Sequence, residues 1–349
     1  MSVIVATNQR REFIEEALES VLAQDAPRAA FEVIVAKGFV DPEFDSVIHS
    51  LCDQIVTVPG DLQGQKWKVA IRASSGRILI FMDDDDLFLP NKISRVIDIF
   101  QRTKAEFYHN EYVERSTETL RHAPAGPVEA RGTDAVSVAP PIIGSSEFDQ
   151  WLRRCRPGIN SSSIATSRGL AFAALTWAEG VSVGWDTYLL YVALSENARM
   201  VSDGSVLTIR RVHPAGFTNM SHSFHIYVQK QRANLKFAHQ DYSTFLCMSD
   251  RLPSRRYVSA DYSQFIVFEN IFNDHPGRCQ VLATTVPTIL SQTQWTLAHR
   301  LRCVVSGLLG VVSGRLGRVA LFVAERIASA PQHRATKSSV TRSASTRAG

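Results

Sequence analysis

The sequence predicts an α/β fold with a central, mostly parallel twisted sheet flanked by helices, followed by a helical C-terminal extension. Short apolar segments alternate with amphipathic helical segments through the first half of the chain, a pattern typical of parallel strands joined by right-handed crossovers. The 349 residues, 45% of them hydrophobic, are sufficient for one large or two ordinary domains with a substantial core. From about residue 222 to residue 290 the pattern is mostly helical.

The first predicted elements are a strand at 2–6 and a helix at about 13–22. Apolar residues recur at helical spacing in the second segment, with glutamates between them. Pro42 directly after Asp41 is typical of the first turn of a helix. The following predicted elements are strands at 31–36, 54–58 and 77–82, and helices at 41–52 and 65–74.

Later elements are less regular. We expect a helix from residue 90, a strand at 105–109, a helix at 170–177 and a strand at 206–214, and an apolar helix that begins at Asp186. The segment 116–146 is rich in Pro, Gly and Ala without clear periodicity, which favours a mobile connection that could order as a lid.

Four consecutive carboxylates, Asp83 to Asp86, end the apolar strand at 77–82. Adjacent carboxylates repel one another and cost stability unless a cation or several hydrogen-bond donors offset the charge. Ligands of open α/β sheets bind at the carboxyl ends of the strands. A solvated acidic loop is the simpler alternative, but acids directly after a buried strand favour a binding site.

Charge and cysteine content restrict the binding partners and the structural sites that the chain can have. The residues from Arg300 onward carry nine Lys or Arg against one Glu, so this segment is +8 and the preceding residues are −4. Such asymmetry suggests a basic tail directed at an anionic surface. The five cysteines are widely spaced without a CxxC pattern, which argues against a zinc site and a disulfide framework.

The N-terminal residues show no secretory signal, so we expect a cytoplasmic protein. Apolar segments at 303–314 and 319–324 are shorter than the roughly 20 residues of a spanning helix. We expect residues 300–330 to form amphipathic helices on the inner face of a membrane, with core helices as the alternative. Residues 331–349 should be disordered.

Four segments together resemble family 2 glycosyltransferases, the inverting group with a GT-A fold. They are residues 2–22, residues 32–35, the acidic segment 81–87, which resembles the family's DxD region, and Arg211-Val212-His213, which resembles its late Arg-x-His element. The resemblance implies a nucleotide-sugar-binding half at 1–115, an acceptor-binding half at 147–220 and a helical extension at 221–299.

The resemblance also implies roles for individual residues. It implies nucleotide-sugar contacts from Thr7, Arg10, Lys66, Asp83, Asp84 and Arg211, metal ligands at Asp83, Asp85, Asp86 and His213, and a general base at Asp186. A divalent cation, Mg²⁺ or Mn²⁺, would stabilise the charge that develops on the diphosphate. If the backbone stays extended, Asp83 and Asp85 share a face and Asp84 points away. Gly64 could let the backbone approach a phosphate, and Trp185 could stack on a sugar ring.

The implied reaction is inverting transfer of a sugar from a nucleotide-diphosphate donor to a hydroxyl of a glycan or a lipid-linked acceptor, as in cell-surface polysaccharide synthesis. One departure weakens the assignment of the donor: Lys37 follows the second strand where most members carry the acid that binds uracil. A catalytically silent nucleotide-sugar or glycan-binding module is therefore the alternative, and a phosphohydrolase is a third possibility. Nucleic-acid binding is not expected, since the basic tail lacks interleaved aromatic residues.

Overall fold

The computed structural model describes residues 1–8, 11–58, 60, 62–122, 135–214, 216, 223–248, 255–273, 278–292, 295 and 297–329. The predicted tail 331–349 lies outside these residues. The strands are β1 (Ser2–Thr7), β2 (Glu32–Lys37), β3 (Gln54–Thr57), β4 (Ile78–Asp83), β5 (Leu87–Phe88), β6 (Phe107–Ser116), β7 (Val136–Val138), β8 (Ile164–Ser167) and β9 (Met200–Val212).

Helices separate the strands and then form the C-terminal part alone. They are α1 (Ile14–Leu22), α2 (Pro42–Ile48), α3 (Gln63–Ala73), α4 (Lys92–Thr103), α5 (Thr117–His122), α6 (Ser146–Cys155), α7 (Arg168–Ala173), α8 (Trp185–Ser195), α9 (Phe224–Met248), α10 (Arg255–Asn273), α11 (Arg278–Leu290), α12 (Leu297–Val312) and α13 (Gly314–Ser329).

The described strands form one sheet in the order β3-β2-β1-β4-β8-β6-β9-β5, with β7 paired to β9. Strands β1 to β4 are mutually parallel, as predicted. Beyond β4 the sheet is mixed, because β8 runs antiparallel to both of its neighbours and β6 pairs with β9 in parallel. The predicted α/β class with a helical extension is confirmed.

Element boundaries differ most where pairing extends a strand beyond its apolar residues. Strands β6 and β9 pair from Phe107 to Ser116, so both are longer than the predicted segments 105–109 and 206–214. Helix α2 is shorter than predicted and ends at Ile48. Within the predicted connection 116–146, the structure has helix α5 and strand β7, whereas residues 123–134 lie outside the described part.

Both faces of the sheet are covered by apolar layers. Along β1, Val3 and Val5 pack into one layer with α1 and α4, whereas Ile4 and Ala6 pack into the other with α3 and α8. This two-sided burial explains why the parallel strands are continuously apolar.

Helices α9 to α13 share a further core that includes Phe265, Ile271, Cys303 and Leu321. Small residues let these helices approach closely: a Cβ at Gly310 would lie 2.7 Å from the Ile271 side chain. Helices α12 and α13 are thus partly core helices, the alternative considered for residues 300–330. Several apolar side chains on their other faces are exposed, namely Leu297, Leu301, Val305, Leu308, Leu309, Leu316, Val319 and Val323. In the described part of the chain, no helix is both long and apolar enough to cross a membrane.

Candidate active site

The strand order brings the carboxyl ends of β1 and β4 together. The two strands are adjacent, and Ala6 is in register with Asp83. The Thr7 hydroxyl donates a hydrogen bond to Asp84 Oδ2 at 2.5 Å, and both residues are buried. Because β2 and β4 lie on opposite sides of β1, this edge is a topological switch point, the usual binding position in such sheets.

The four carboxylates point in different directions. Strand β4 ends at Asp83, and the chain then turns, with the Asp86 N–H 3.3 Å from the Asp83 carbonyl oxygen. Gln63 donates to Asp83 Oδ1 at 3.2 Å, and Asp85 Oδ2 lies 2.9 Å from His213 Nε2. The premise of an extended backbone from Asp83 to Asp85 was therefore wrong, because a turn replaces strand alternation after Asp83.

Burial and mutual repulsion perturb these acids. Burial, reinforced by Asp86, Asp85, Asp84 and Asp186, raises the pKa of Asp83 well above its usual range. Burial and the neighbouring Asp85 raise the pKa of Asp86 to about 7. Both shifts arise first from burial and then from repulsion between neighbouring carboxylates, and a bound cation would oppose both.

The end of β9 and the residue that follows it supply the predicted Arg-x-His element. His213 is buried, contacts Asp85, and packs edge-on against Phe13 with ring centroids 4.8 Å apart. Arg211 donates from its backbone N–H to Asp86 Oδ1 at 3.0 Å and from Nε to the Asp85 carbonyl at 2.8 Å. Its guanidinium forms an ion pair with Glu16 of α1, so this side chain holds the acidic turn at residues 83–86 in place from the side of α1.

Arg210, which sequence reasoning missed, extends from the other face of β9. It forms an ion pair with Glu114 at 3.0 Å and lies over the Tyr112 ring at 5.8 Å. Its charge counteracts the rise in the pKa of both Asp86 and Asp186. Because consecutive side chains of a strand alternate, the sequence could have indicated that Arg210 and Arg211 extend from opposite faces of β9.

Ser162 and Lys92 were also missed. The Asp83 N–H donates to Ser162 Oγ at 3.0 Å, and Ser162 also hydrogen-bonds Asp86. The buried Lys92 Nζ donates to the Ser162 carbonyl and to Thr208 Oγ1, the latter at 2.8 Å. Burial lowers the pKa of Lys92 well below its usual range, and Asp86 opposes that shift. These contacts fix the acids from the protein side.

Asp186 lies in the first turn of α8, as predicted. Its carboxylate accepts hydrogen bonds from the backbone N–H groups of Asn160 at 2.9 Å and Thr187 at 2.8 Å. Asn160 has a φ of 69°, in the left-handed region that asparagine adopts more readily than most residues. Burial raises the pKa of Asp186 despite these two donors. Asn160 is two residues before Ser162, which accepts the Asp83 N–H, so this short segment contacts both Asp186 and Asp83.

Trp185 belongs to the core and is not available for a sugar. It is fully buried and stacks on Trp67 with ring centroids 5.7 Å apart. Gly64 likewise has a packing role, because a Cβ there would lie 1.8 Å from the Ala178 carbonyl oxygen. The predictions of a stacking role for Trp185 and a phosphate approach at Gly64 were therefore wrong.

Lysines lie near the end of β2, where the end of β4 has carboxylates. Lys37 is buried and pairs with Asp45 at 2.6 Å, so its ammonium is held by α2. A Cβ at Gly38 would lie 3.3 Å from Lys66 Nζ and 3.6 Å from Asn8 Oδ1, which places these three residues together. Lys66 is buried, with Nζ 3.4 Å from the Gly60 carbonyl oxygen. The predicted contact Arg10 lies outside the described residues.

The donor set fits a hard divalent cation, although it does not form a closed cage. Carboxylates and an imidazole from Asp83, Asp85, Asp86 and His213 are suitable ligands for Mg²⁺ or Mn²⁺. Over the ranges that the structure describes, no three His, Cys, Asp or Glu side chains are already arranged around one point. Substrate oxygens or water would have to complete the coordination.

Comparisons with known proteins agree with this arrangement. Residues 2–162 match the family model described as Glycosyl transferase family 2. Over these residues, just under half of the chain, the sequence is similar to that family. An uncharacterised glycosyltransferase of Nostoc sp. (strain PCC 7120) is 27% identical over 131 residues, which cover 35% of this chain and 40% of that protein.

Solved structures extend the similarity over most of the length of the chain. TarS of S. aureus, in a complex with UDP-GlcNAc, is 14% identical with a TM-score of 0.50, and the match covers 93% of this chain and 90% of that one. The mannosyltransferase PcManGT of Pyrobaculum calidifontis, in a complex with GDP-Man and Mn²⁺, is 13% identical with a TM-score of 0.50, covering 93% and 85%. These similarities show that the chain has the GT-A fold.

Proposed function

We propose that the protein is an inverting hexosyltransferase that moves a sugar from a nucleotide-diphosphate donor to a hydroxyl of a glycan or lipid-linked acceptor. The observation that carries this proposal is the convergence of the β4 acids, His213 and the Asn160–Ser162 segment that contacts Asp186 at the sheet's switch point. The match to the family 2 model and the nucleotide sugars in the TarS and PcManGT complexes support this donor class.

The acids are proposed to hold a divalent cation together with the donor diphosphate. Asp83, Asp85, Asp86 and His213 would be its ligands, and the Mn²⁺ of the PcManGT complex supports this assignment. The cation would supply electrostatic stabilisation of the leaving diphosphate. Thr7, Arg211, Ser162 and Lys92 then hold the acids in place, since each hydrogen-bonds an acid or a neighbour that does.

Asp186 is proposed to be the general base that removes the proton from the acceptor hydroxyl. A base functions best when its pKa is raised toward the working pH, and burial raises that of Asp186. The two backbone N–H donors orient the carboxylate. Attack from the face opposite the diphosphate then inverts the configuration at the anomeric carbon.

The base of the donor nucleotide would be bound without an acid from the end of β2. Lys37 is held by Asp45, and Asn8, Gly38 and Lys66 form the neighbouring surface. These residues offer an amide, a backbone and an ammonium group, which suit carbonyl groups of a base or a phosphate.

The outer faces of α12 and α13 are proposed to bind an anionic membrane surface. The protein would then be cytoplasmic and peripheral on the inner face of the membrane. Apolar side chains such as Leu308, Val319 and Val323 are exposed there, and Arg315 is exposed beside them. Apolar contact with the acyl boundary and arginines at headgroup level are typical of peripheral helices.

Donor turnover tests the enzymatic proposal. Purified protein is incubated with a panel of nucleotide sugars and Mn²⁺, and both binding and release of the nucleoside diphosphate are measured. The wild type should bind and turn over at least one donor, and Asp186→Asn should bind it without turnover, whereas surface Asp98→Asn should behave as wild type. Binding without turnover by the wild type would favour the silent binding module, and release of phosphate from simple phosphate esters would favour a phosphohydrolase.

A further inference from the structure

A polar cleft lies where α6 meets the C-terminal helices. It has a volume of about 690 Å³, and the residues that line it include Asp149 and Arg153 of α6, Arg256 of α10 and Arg300 of α12. We refer to these four residues and the space between them as the arginine cleft. A volume of this size suits a small-molecule group rather than a single water molecule or ion.

The arginine cleft has an excess of positive charge. Among its described lining residues there are three guanidinium groups and one carboxylate. That carboxylate, Asp149, is buried, forms an ion pair with Arg256, and accepts a hydrogen bond from Tyr257 Oη at 2.8 Å. Arg256 also donates to the Gly144 carbonyl at 2.9 Å, so it is fixed in position. The described lining thus contains two more guanidinium groups than carboxylates.

Exposed apolar side chains lie next to the charged lining. Arg300 donates to the carbonyl of Leu290 at 2.7 Å, and Leu290 is 42% exposed. Leu297 and Leu301, one helical turn apart on α12, are 62% and 46% exposed. A ligand with an anionic group and a hydrocarbon chain would match both features, because guanidinium groups bind phosphate oxygens in a forked geometry and leucines cover the chain.

We propose that the arginine cleft binds the phosphate group of a lipid-linked acceptor, with the hydrocarbon chain on Leu290, Leu297 and Leu301. This inference rests on the proposed transferase function and assigns its acceptor to the phosphate-bearing lipid class. No bond is formed or broken in the cleft, whose role is to hold the acceptor by its phosphate group.

The test measures binding of the full chain to phosphatidylcholine vesicles that contain a polyprenyl phosphate, the corresponding polyprenol, or phosphatidylglycerol at the same surface charge as the phosphate. The wild type should prefer the polyprenyl phosphate vesicles to both others by at least about tenfold, as expected for charge-assisted contacts. Arg153→Gln combined with Arg300→Gln should reduce the preference over phosphatidylglycerol to about one. Arg315→Gln, an exposed arginine outside the cleft, should leave that ratio unchanged even if it weakens binding to every anionic vesicle.

Equal binding to the two anionic vesicles by the wild type would overturn the inference in favour of a general anionic surface. Equal binding to polyprenol and polyprenyl phosphate would overturn the role of the phosphate, and an unchanged ratio in the double variant would overturn the location. Donor binding with Mn²⁺ is measured in parallel. Normal donor turnover without a lipid preference refutes only the cleft, whereas lipid preference without donor binding refutes only the transferase.

Discussion

The carboxylate of Asp241 on α9 accepts a hydrogen bond from the backbone N–H of Gly184 at 2.8 Å, two residues before Asp186. The same carboxylate accepts from Ser182 and Val183, so one buried side chain from the C-terminal helices fixes the loop that leads into α8. The helical extension is thus part of the candidate active site's support.

Asp241→Asn should lower turnover more than donor binding. An amide keeps one acceptor oxygen but places an NH₂ donor against backbone N–H groups, which costs about 1–3 kcal/mol of unfolding free energy. We expect a reduced kcat at saturating donor with an unchanged donor Kd, measured by initial rates and calorimetry. Asp98→Asn on the surface of α4 is the control, and an equal loss of donor affinity in Asp241→Asn would contradict this role.

Asp85→Asn should abolish turnover while the fold remains intact. Asp85 meets His213 at 2.9 Å and is a proposed ligand of the cation, so removal of its charge should weaken both the imidazole contact and Mn²⁺ binding. Circular dichroism should match the wild type, and the Mn²⁺-induced rise in Tm should decrease. An active Asp85→Asn enzyme would refute the metal assignment.

Arg210 and Arg211 should differ in what their substitution affects. Arg211 is 1% exposed and supports the acids through Glu16 and the Asp85 carbonyl, so Arg211→Gln should lower the free energy of unfolding by about 1–3 kcal/mol. Arg210→Gln removes a charge beside Asp86 and should reduce kcat/KM by roughly tenfold to a hundredfold with a smaller change in stability. Urea denaturation and initial rates check both, and the reverse pattern would show that Arg211 is the one that contacts the donor.

Gly64→Ala should destabilise the protein although Gly64 lies inside a helix, where alanine is usually favoured. The added Cβ would lie 1.8 Å from the Ala178 carbonyl oxygen, so α3 or its neighbour has to move, at a cost of about 1–3 kcal/mol. Gly169→Ala is the matched control, because the nearest atom to its Cβ would be 3.9 Å away. This control should be neutral or up to about 1 kcal/mol more stable. Equal Tm values for the two variants would show that the contact relaxes freely.

His109 should make the protein less stable in mild acid. Its Nε2 lies 2.9 Å from the Ile159 carbonyl oxygen, while Nδ1 is buried without a hydrogen-bond partner in the described structure. Burial therefore lowers the pKa of His109 to about 4. The unfolded chain binds a proton near pH 6.5 and the folded chain does not, so stability should fall as pH decreases from about 6.5 to about 4, by on the order of 3 kcal/mol.

His109→Gln keeps a donor for Ile159 and removes the titration. Urea unfolding at pH 7 and at pH 4.5 should show a smaller loss of stability in this variant than in the wild type. The same pH dependence in both proteins would assign the acid sensitivity to other groups.

The sequence by itself determined the local elements and the position of the acids. Apolar segments that end at Thr7 and Asp83 predicted β1 and β4, and the acid before an apolar segment placed Asp186 at the start of α8. These features depend on side-chain periodicity and on turn residues close in sequence, which a single chain displays directly.

Only the tertiary structure decided which partners these side chains meet. The turn after Asp83 separates the directions of Asp84 and Asp85, and the pairing of β9 with β6 sends Arg211 toward Glu16 and Arg210 toward Tyr112. Trp185 and Asp241 likewise acquired their roles from residues that are distant in sequence. The physical reason is that long-range packing selects the neighbours of a side chain, and local periodicity fixes only the face from which it extends.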